Sequence, residues 1–304
     1  MKRLHPLLIA IVIVSVACQR EVSDDINQDT KLTKITEFHE TARKEQQSFT
    51  VNSSAANTVA TTKGSTISMP ANCFVTEDGV PVTGNINVSI KEIFTPVEMI
   101  LNDMPTMAGN RLLESGGEFK ITASQNNRPL KLAPGNYIKI NIPDIGRNMQ
   151  GMQVFNGAED AAGNVNWVLN SNPGNLVVGD SSMFSKSNLF CDSINWINCD
   201  KFIDEPTVTF TVHPGNAPSG DSTNVFVHLT GRNTVVKMGW TQGLSYFTSN
   251  MLLAVPSTIV GISIKNGQFF ASITPVNVQN GQSVTMNFRA YSEQELKARL
   301  SQLQ

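Results

Sequence analysis

Cysteine, histidine and charge are all scarce in this sequence. Four cysteines and four histidines are spread over 304 residues. After Cys18 only Cys73, Cys191 and Cys199 remain, an odd number at wide spacing, so a disulfide framework is not expected and buried free thiols are. Charged residues make up 16% of the chain, with 23 basic against 25 acidic. No basic stripe tracks a phosphate backbone, which argues against a nucleic-acid partner. The one sustained apolar run, Leu7–Val14, falls short of the ~20 residues needed to span a bilayer.

What is present at the N-terminus is an export pattern. Met1-Lys2-Arg3 supplies positive charge, the apolar run follows, and small residues lead into Ser15-Val16-Ala17-Cys18. This end resembles the lipobox of bacterial lipoproteins, although Ser15 stands where Leu is commoner. The resemblance implies that residues 1–17 are removed and that the Cys18 thiol takes a diacylglycerol. Lipid on Cys18 would make the membrane a partner, with the protein at the outer membrane or cell surface. Beyond Cys18, Arg20 faces Glu21, Asp24, Asp25 and Asp29, so residues 18–46 read as a solvated polar tether with at most a short helix. The acidic stretch resembles the surface-export signal of Bacteroidetes lipoproteins; a plain spacer fits it equally well.

From Gln47 the apolar period becomes two. Ile86, Val88 and Ile90 alternate with polar residues, as do Phe119, Ile121 and Ala123, and Ile138, Ile140 and Ile142. A second block repeats the pattern at Val208, Phe210 and Val212, at Val225, Val227 and Leu229, and at Val284, Met286 and Phe288. Alternation of this kind marks antiparallel sheets with one dry and one wet face. Asn266-Gly267 between two apolar runs predicts a two-residue hairpin. The expected fold is all-β: two β-sandwich domains, 47–170 and 205–304, joined by a segment 171–204. The apolar residues of that segment, Trp196, Ile197 and Phe202, predict a buried wedge. A short helix closes the chain, with Ser292 and Glu295 as its capping box, a Leu296, Leu300 and Leu303 stripe, and Glu293–Lys297 and Glu295–Arg299 pairs.

Candidates for chemistry are few. His39-Glu40 lacks the second histidine of a zinc-protease helix, because Arg43 occupies that turn. His213 precedes a Pro-Gly turn, and His228 sits on the polar side of its strand. Ser115-Gly116-Gly117-Glu118 lacks the lysine and following helix of a phosphate loop and fits a bulge. Residues 156–164 carry oxygens without the calcium-loop spacing and read as a hairpin tip. Trp240, Tyr246 and Phe247 are the candidate ligand-contact aromatics; the same pattern suits a core.

Three segments carry a further resemblance: TKGSTISMPANCFVTEDGVPVTGNINVSIKEI (62–93), LLESGGEFKITASQNNRPLKL (112–132) and INWINCDKF (194–202). The first two resemble the domain shared by ankyrins, netrin receptors and zonula occludens protein. The third resembles a segment of Bacteroidetes lipoproteins of unknown function. The likeness implies a β-sandwich and no reaction. Some eukaryotic relatives cleave themselves at His-Phe-Ser; the nearest match is Met183-Phe184-Ser185, whose thioether cannot activate the serine. The expected function is therefore that of a non-catalytic envelope protein, a structural or binding module, without metal or cofactor. A glycan- or protein-binding accessory lipoprotein of an uptake complex is the alternative, and a hydrolase the remote one.

Overall fold

The computed structural model describes residues 32, 34–172, 174–179, 187–218, 222–241 and 246–303. Cys18, the lipobox and Met183-Phe184-Ser185 lie outside these residues. In chain order the elements are α1 (Ile35–Lys44), β1 (Gln47–Asn52), β2 (Asn57–Ala60), β3 (Thr66–Met69), β4 (Phe74–Thr76), β5 (Asn85–Ile93), α2 (Pro96–Asn102), β6 (Met107–Ala108), β7 (Arg111–Gln125), β8 (Arg128–Leu132), β9 (Ile138–Ile142), β10 (Gln153–Glu159), β11 (Val165–Leu169), β12 (Leu176–Gly179), β13 (Ser187–Cys191) and β14 (Asn195–Phe202). The remainder are β15 (Thr207–His213), β16 (Thr223–Leu229), β17 (Val235–Lys237), β18 (Gly239–Thr241), β19 (Tyr246–Leu252), β20 (Pro256–Lys265), β21 (Gln268–Asn277), β22 (Ser283–Thr285), β23 (Arg289–Tyr291) and α3 (Glu293–Leu300). The protein is all-β, as the alternation predicts. Among the described residues no helix is long and apolar enough to cross a membrane.

Four sheets form two sandwiches. In the first, the sheet ordered β1-β5-β7-β14-β10-β11 covers β12-β13-β9-β3-β2. Between them lie Ile67, Ile90, Phe119, Ile140, Leu189 and Ile197, the apolar phases of their strands. In the second, β18-β19-β15-β22 covers β17-β16-β20-β21-β23, with Phe210, Val225, Val227, Phe247 and Ile259 inside. Asn266 and Gly267 both have positive φ, 53° and 71°, and Lys265 pairs with Gln268; this is the expected two-residue hairpin.

A third core joins the sandwiches, and it overturns several expectations. It contains Ile93, Phe155, Trp167 and Trp196 from the first sandwich and Phe226, Val260, Ile262 and Phe269 from the second. Helices α1, α2 and α3 fill its flanks through Phe38, Met99, Leu296 and Leu300. Residues 32–304 accordingly form one compact unit. Backbone bonds tie the halves at Thr106 N to Val235 O (2.8 Å) and Ser115 N to Asn233 O (3.0 Å).

The segment read as a connector ends in β14, which lies between β7 and β10 inside the first sheet. Trp196, 2% exposed, is thus a strand residue rather than a loop wedge. Asn198 and Asp200 of the same strand are fully buried, whereas Asn195 at its start is exposed. The register slips between Asn198 and Asp200, opposite Gly116-Gly117. Gly117 has φ of 139°, and a Cβ there would lie 2.7 Å from Phe94, so the glycine pair is a bulge that brings backbone against a ring.

The tether likewise ends earlier than expected. Helix α1 buries Ile35, Phe38 and His39. Arg43 donates from Nε to Asn102 O (2.6 Å) and from Nη2 to Asp103 O (2.7 Å), collecting carbonyls at the C-terminus of α2, and from Nη1 to Gly163 O in the β10–β11 turn. Lys91 Nζ closes the end of α1 through Ala42 O and Glu45 O. The final helix has its capping box, with Glu295 N donating to Ser292 Oγ at 3.2 Å. Glu293–Lys297 pairs at 2.7 Å, but Glu295 turns back to Ser292, so the expected bond to Arg299 is absent among the described residues.

Candidate functional site

The outer face of β13-β9-β3-β2 carries a regular polar surface. Every second residue of these strands points inward, which leaves the intervening ones on one outer face. The register aligns Thr58, Ser68, Lys139 and Phe190 in a single cross-strand row. The next row is Ala60, Thr66, Asn141 and Asn188. Thr58 and Ser68 hydroxyls meet at 3.0 Å, and Asn141 Nδ2 donates to Asn188 Oδ1 at 3.0 Å. Tyr137 and Phe190 stand half-buried at one end, with Lys139 Nζ 5.9 Å from the Phe190 ring centre. Together with Asn57 and Asn136 they border a shallow cleft of about 580 Å³ that has no acidic lining residue. Aromatic faces beside hydroxyls and amides suit a polyhydroxylated ligand: rings cover its C–H faces, and the polar groups exchange hydrogen bonds with it. No single feature of the sequence marks this face. It requires the pairing of four strands from Asn57 to Cys191.

The sequence candidates are distributed differently. Trp240 pairs with Phe247 across β18 and β19, ring centres 4.8 Å apart. Phe247 is buried in the second sandwich, Trp240 packs partly against the same core, and Tyr246 turns edge-on to His213 at 6.0 Å. The three therefore do not share one exposed row. His228, expected to face water, is 1% exposed, because the junction covers the polar side of β16; its Nε2 donates to Arg232 O at 3.2 Å. His39 Nδ1 donates to Leu101 O (2.9 Å) and Nε2 accepts from Asn224 Nδ2 (3.0 Å). Burial pushes both imidazoles below their ordinary pKa. Cys73, Cys191 and Cys199 are free and buried; burial pushes Cys73 up to about 11 and the other two upward as well. The hairpin tip is real, and Asp160 spends its oxygens on Ala162 and Asn164 of the turn.

Sequence reasoning missed a buried acidic pair at the junction. Glu118 and Asp200 are fully buried on neighbouring strands beside the bulge. Asn198 Nδ2 donates to Asp200 Oδ2 (2.6 Å), and Ser115 Oγ donates to Asn198 Oδ1 (3.0 Å). Among the described residues both Glu118 oxygens and Asp200 Oδ1 have no hydrogen-bond partner. Burial, then the neighbouring Asp200, drives the Glu118 pKa well up; burial does the same to Asp200. The only hint in the sequence is the polar run Asn198 to Asp200 within an apolar segment.

Among the described residues no group of three or more His, Cys, Asp or Glu is placed to hold a metal. No protein-family model matches the chain, and no curated protein is significantly similar to it.

Proposed function

We propose that this chain is a lipid-anchored, non-catalytic binding module of the cell envelope, and that the Tyr137–Phe190 face takes a saccharide. The cross-strand row Thr58–Ser68–Lys139–Phe190 is the observation that carries the reading. It places an aromatic and a cation at one end of a hydroxyl and amide ladder, on a rigid sheet that needs little ordering to bind. The histidines and thiols support the non-catalytic part: two of the histidines brace buried structure, and the three thiols are buried with raised pKa. The export pattern ending in Cys18 supports the anchor.

The test uses affinity electrophoresis against a panel of soluble neutral polysaccharides. At least one should retard the wild-type protein. Phe190→Ala and Tyr137→Ala should each weaken that retardation about tenfold or more, with the unfolding midpoint unchanged. Retardation by none of the panel, or equal retardation of both variants, would reject the saccharide face. In cells, Cys18→Ser should move the protein out of the membrane fraction. A variant that stays there and still incorporates palmitate would reject the anchor.

A further inference from the structure

The second sandwich holds a groove of about 480 Å³ between β21, β23 and the last turn of α3. The β21–β23 ladder sets Ala271 opposite Arg289, so the floor beside that arginine is only a methyl group. Arg289 and Tyr291 are two residues apart on β23 and leave the strand on the same face. Arg299 approaches from α3 and Gln302 from the turn just after it, and Thr258, Thr274 and Asn287 also border the groove.

Among the described residues the positive charge of this groove has no acidic counterpart. None of its lining residues is acidic. The two carboxylates of α3 are committed elsewhere, Glu293 to Lys297 and Glu295 to the Ser292 cap. Among the described residues neither Arg289 nor Arg299 has an ion pair; Arg299 Nη1 reaches only Gln302 Oε1, at 3.4 Å. Two guanidiniums without a carboxylate stand in a polar concavity, within a chain whose balance is slightly acidic.

We propose that this groove binds a carboxylate-bearing sugar, a uronic acid unit. A guanidinium fork matches a planar carboxylate in bidentate fashion. The Thr258 hydroxyl, on the same face of the sheet as Arg289, and the Gln302 amide answer ring hydroxyls, and the half-buried Tyr291 ring offers a flank for the pyranose C–H face. The volume lies in the range of small-molecule sites. A bare phosphate would engage the arginines alone and leave the remaining lining unused. The groove shares no residue with the Tyr137–Phe190 face, so it stands independently of that reading.

Isothermal titration of the full chain with galacturonic acid, galactose and inorganic phosphate tests the proposal. Galactose differs from galacturonic acid in lacking the carboxylate. Saturable binding of galacturonic acid is expected, with galactose and phosphate each weaker by about tenfold or more. The Arg289→Gln/Arg299→Gln double variant should weaken galacturonic acid binding by a similar factor while its thermal midpoint stays at the wild-type value. Each arginine is exposed, so folding is retained, and the single variants should fall between. No saturable heat with galacturonic acid, equal binding of galactose or phosphate, or undiminished binding by the folded double variant would each overturn it.

Discussion

Replacing Trp196 with alanine removes the largest side chain that β14 contributes to the junction. The indole is 2% exposed and meets Trp167 edge-on, ring centres 6.4 Å apart at 87°. Lys120 Nζ lies 4.8 Å over its face, and its Nε1 donates to Glu159 Oε2 at 3.2 Å. The packing leaves no slack: a Cβ added at Gly157 would lie 2.5 Å from Trp196 Cβ. Of the walls, β7 and β10 are paired on both sides, which limits how far they can collapse into the void. Truncation of such a residue costs about 3–5 kcal/mol, of which the aromatic pair accounts for about 0.5–1.5 kcal/mol. Urea unfolding followed by far-ultraviolet circular dichroism measures this, with Trp196→Phe as a partial rescue. Cys199, on the opposite face of the same strand, provides a second readout. Its thiol should resist a small alkylating reagent in the wild type and react in Trp196→Ala only as fast as the chain opens. A loss under about 1 kcal/mol, together with rapid wild-type labelling, would mean that β14 is not an interior strand.

Two further outcomes follow from the buried charges. Glu118 and Asp200 have folded pKa values above their unfolded ones, so their stability is complete below about pH 4 and is lost as pH rises toward the folded values. Stability at alkaline pH should therefore fall with increasing pH, and Glu118→Gln should flatten that slope by up to about 1.4 kcal/mol per pH unit; an unchanged slope in chemical denaturation from pH 6 to 9 would show that Glu118 does not titrate there. Arg43→Ala strips two donor contacts from the end of α2 and one from Gly163 in the β10–β11 turn, at a cost of about 2–4 kcal/mol. Limited proteolysis should then cut within α1 before the strands, and wild-type resistance of that helix in the variant would refute its mode of docking.

What could be read directly from the residues is what a few neighbours decide. The Asn266-Gly267 hairpin, the Ser292 capping box and the period-two strands depend on φ preferences and hydrogen bonds spanning four residues or fewer. The inner faces of both sandwiches were legible for the same reason, since alternation assigns one side of each strand to a core. The His228 position shows the limit of that logic. Alternation separates two faces but does not say whether the polar one meets water or another part of the protein. On β16 the supposed wet face carries Phe226 into the junction and takes His228 with it.

Tertiary structure alone decided the rest. The third core draws α1, β14, β16 and α3 together across more than 250 residues of chain, and no local pattern encodes that meeting. The Thr58–Ser68–Lys139–Phe190 row, the Glu118–Asp200 pair and the Arg289–Arg299 groove arise the same way, from strand register and helix docking. The physical reason is one of range. Dihedral preference and capping act between neighbours in sequence, whereas burial, charge and ligand contact act between neighbours in space, and in a mostly antiparallel β protein those are largely different residues.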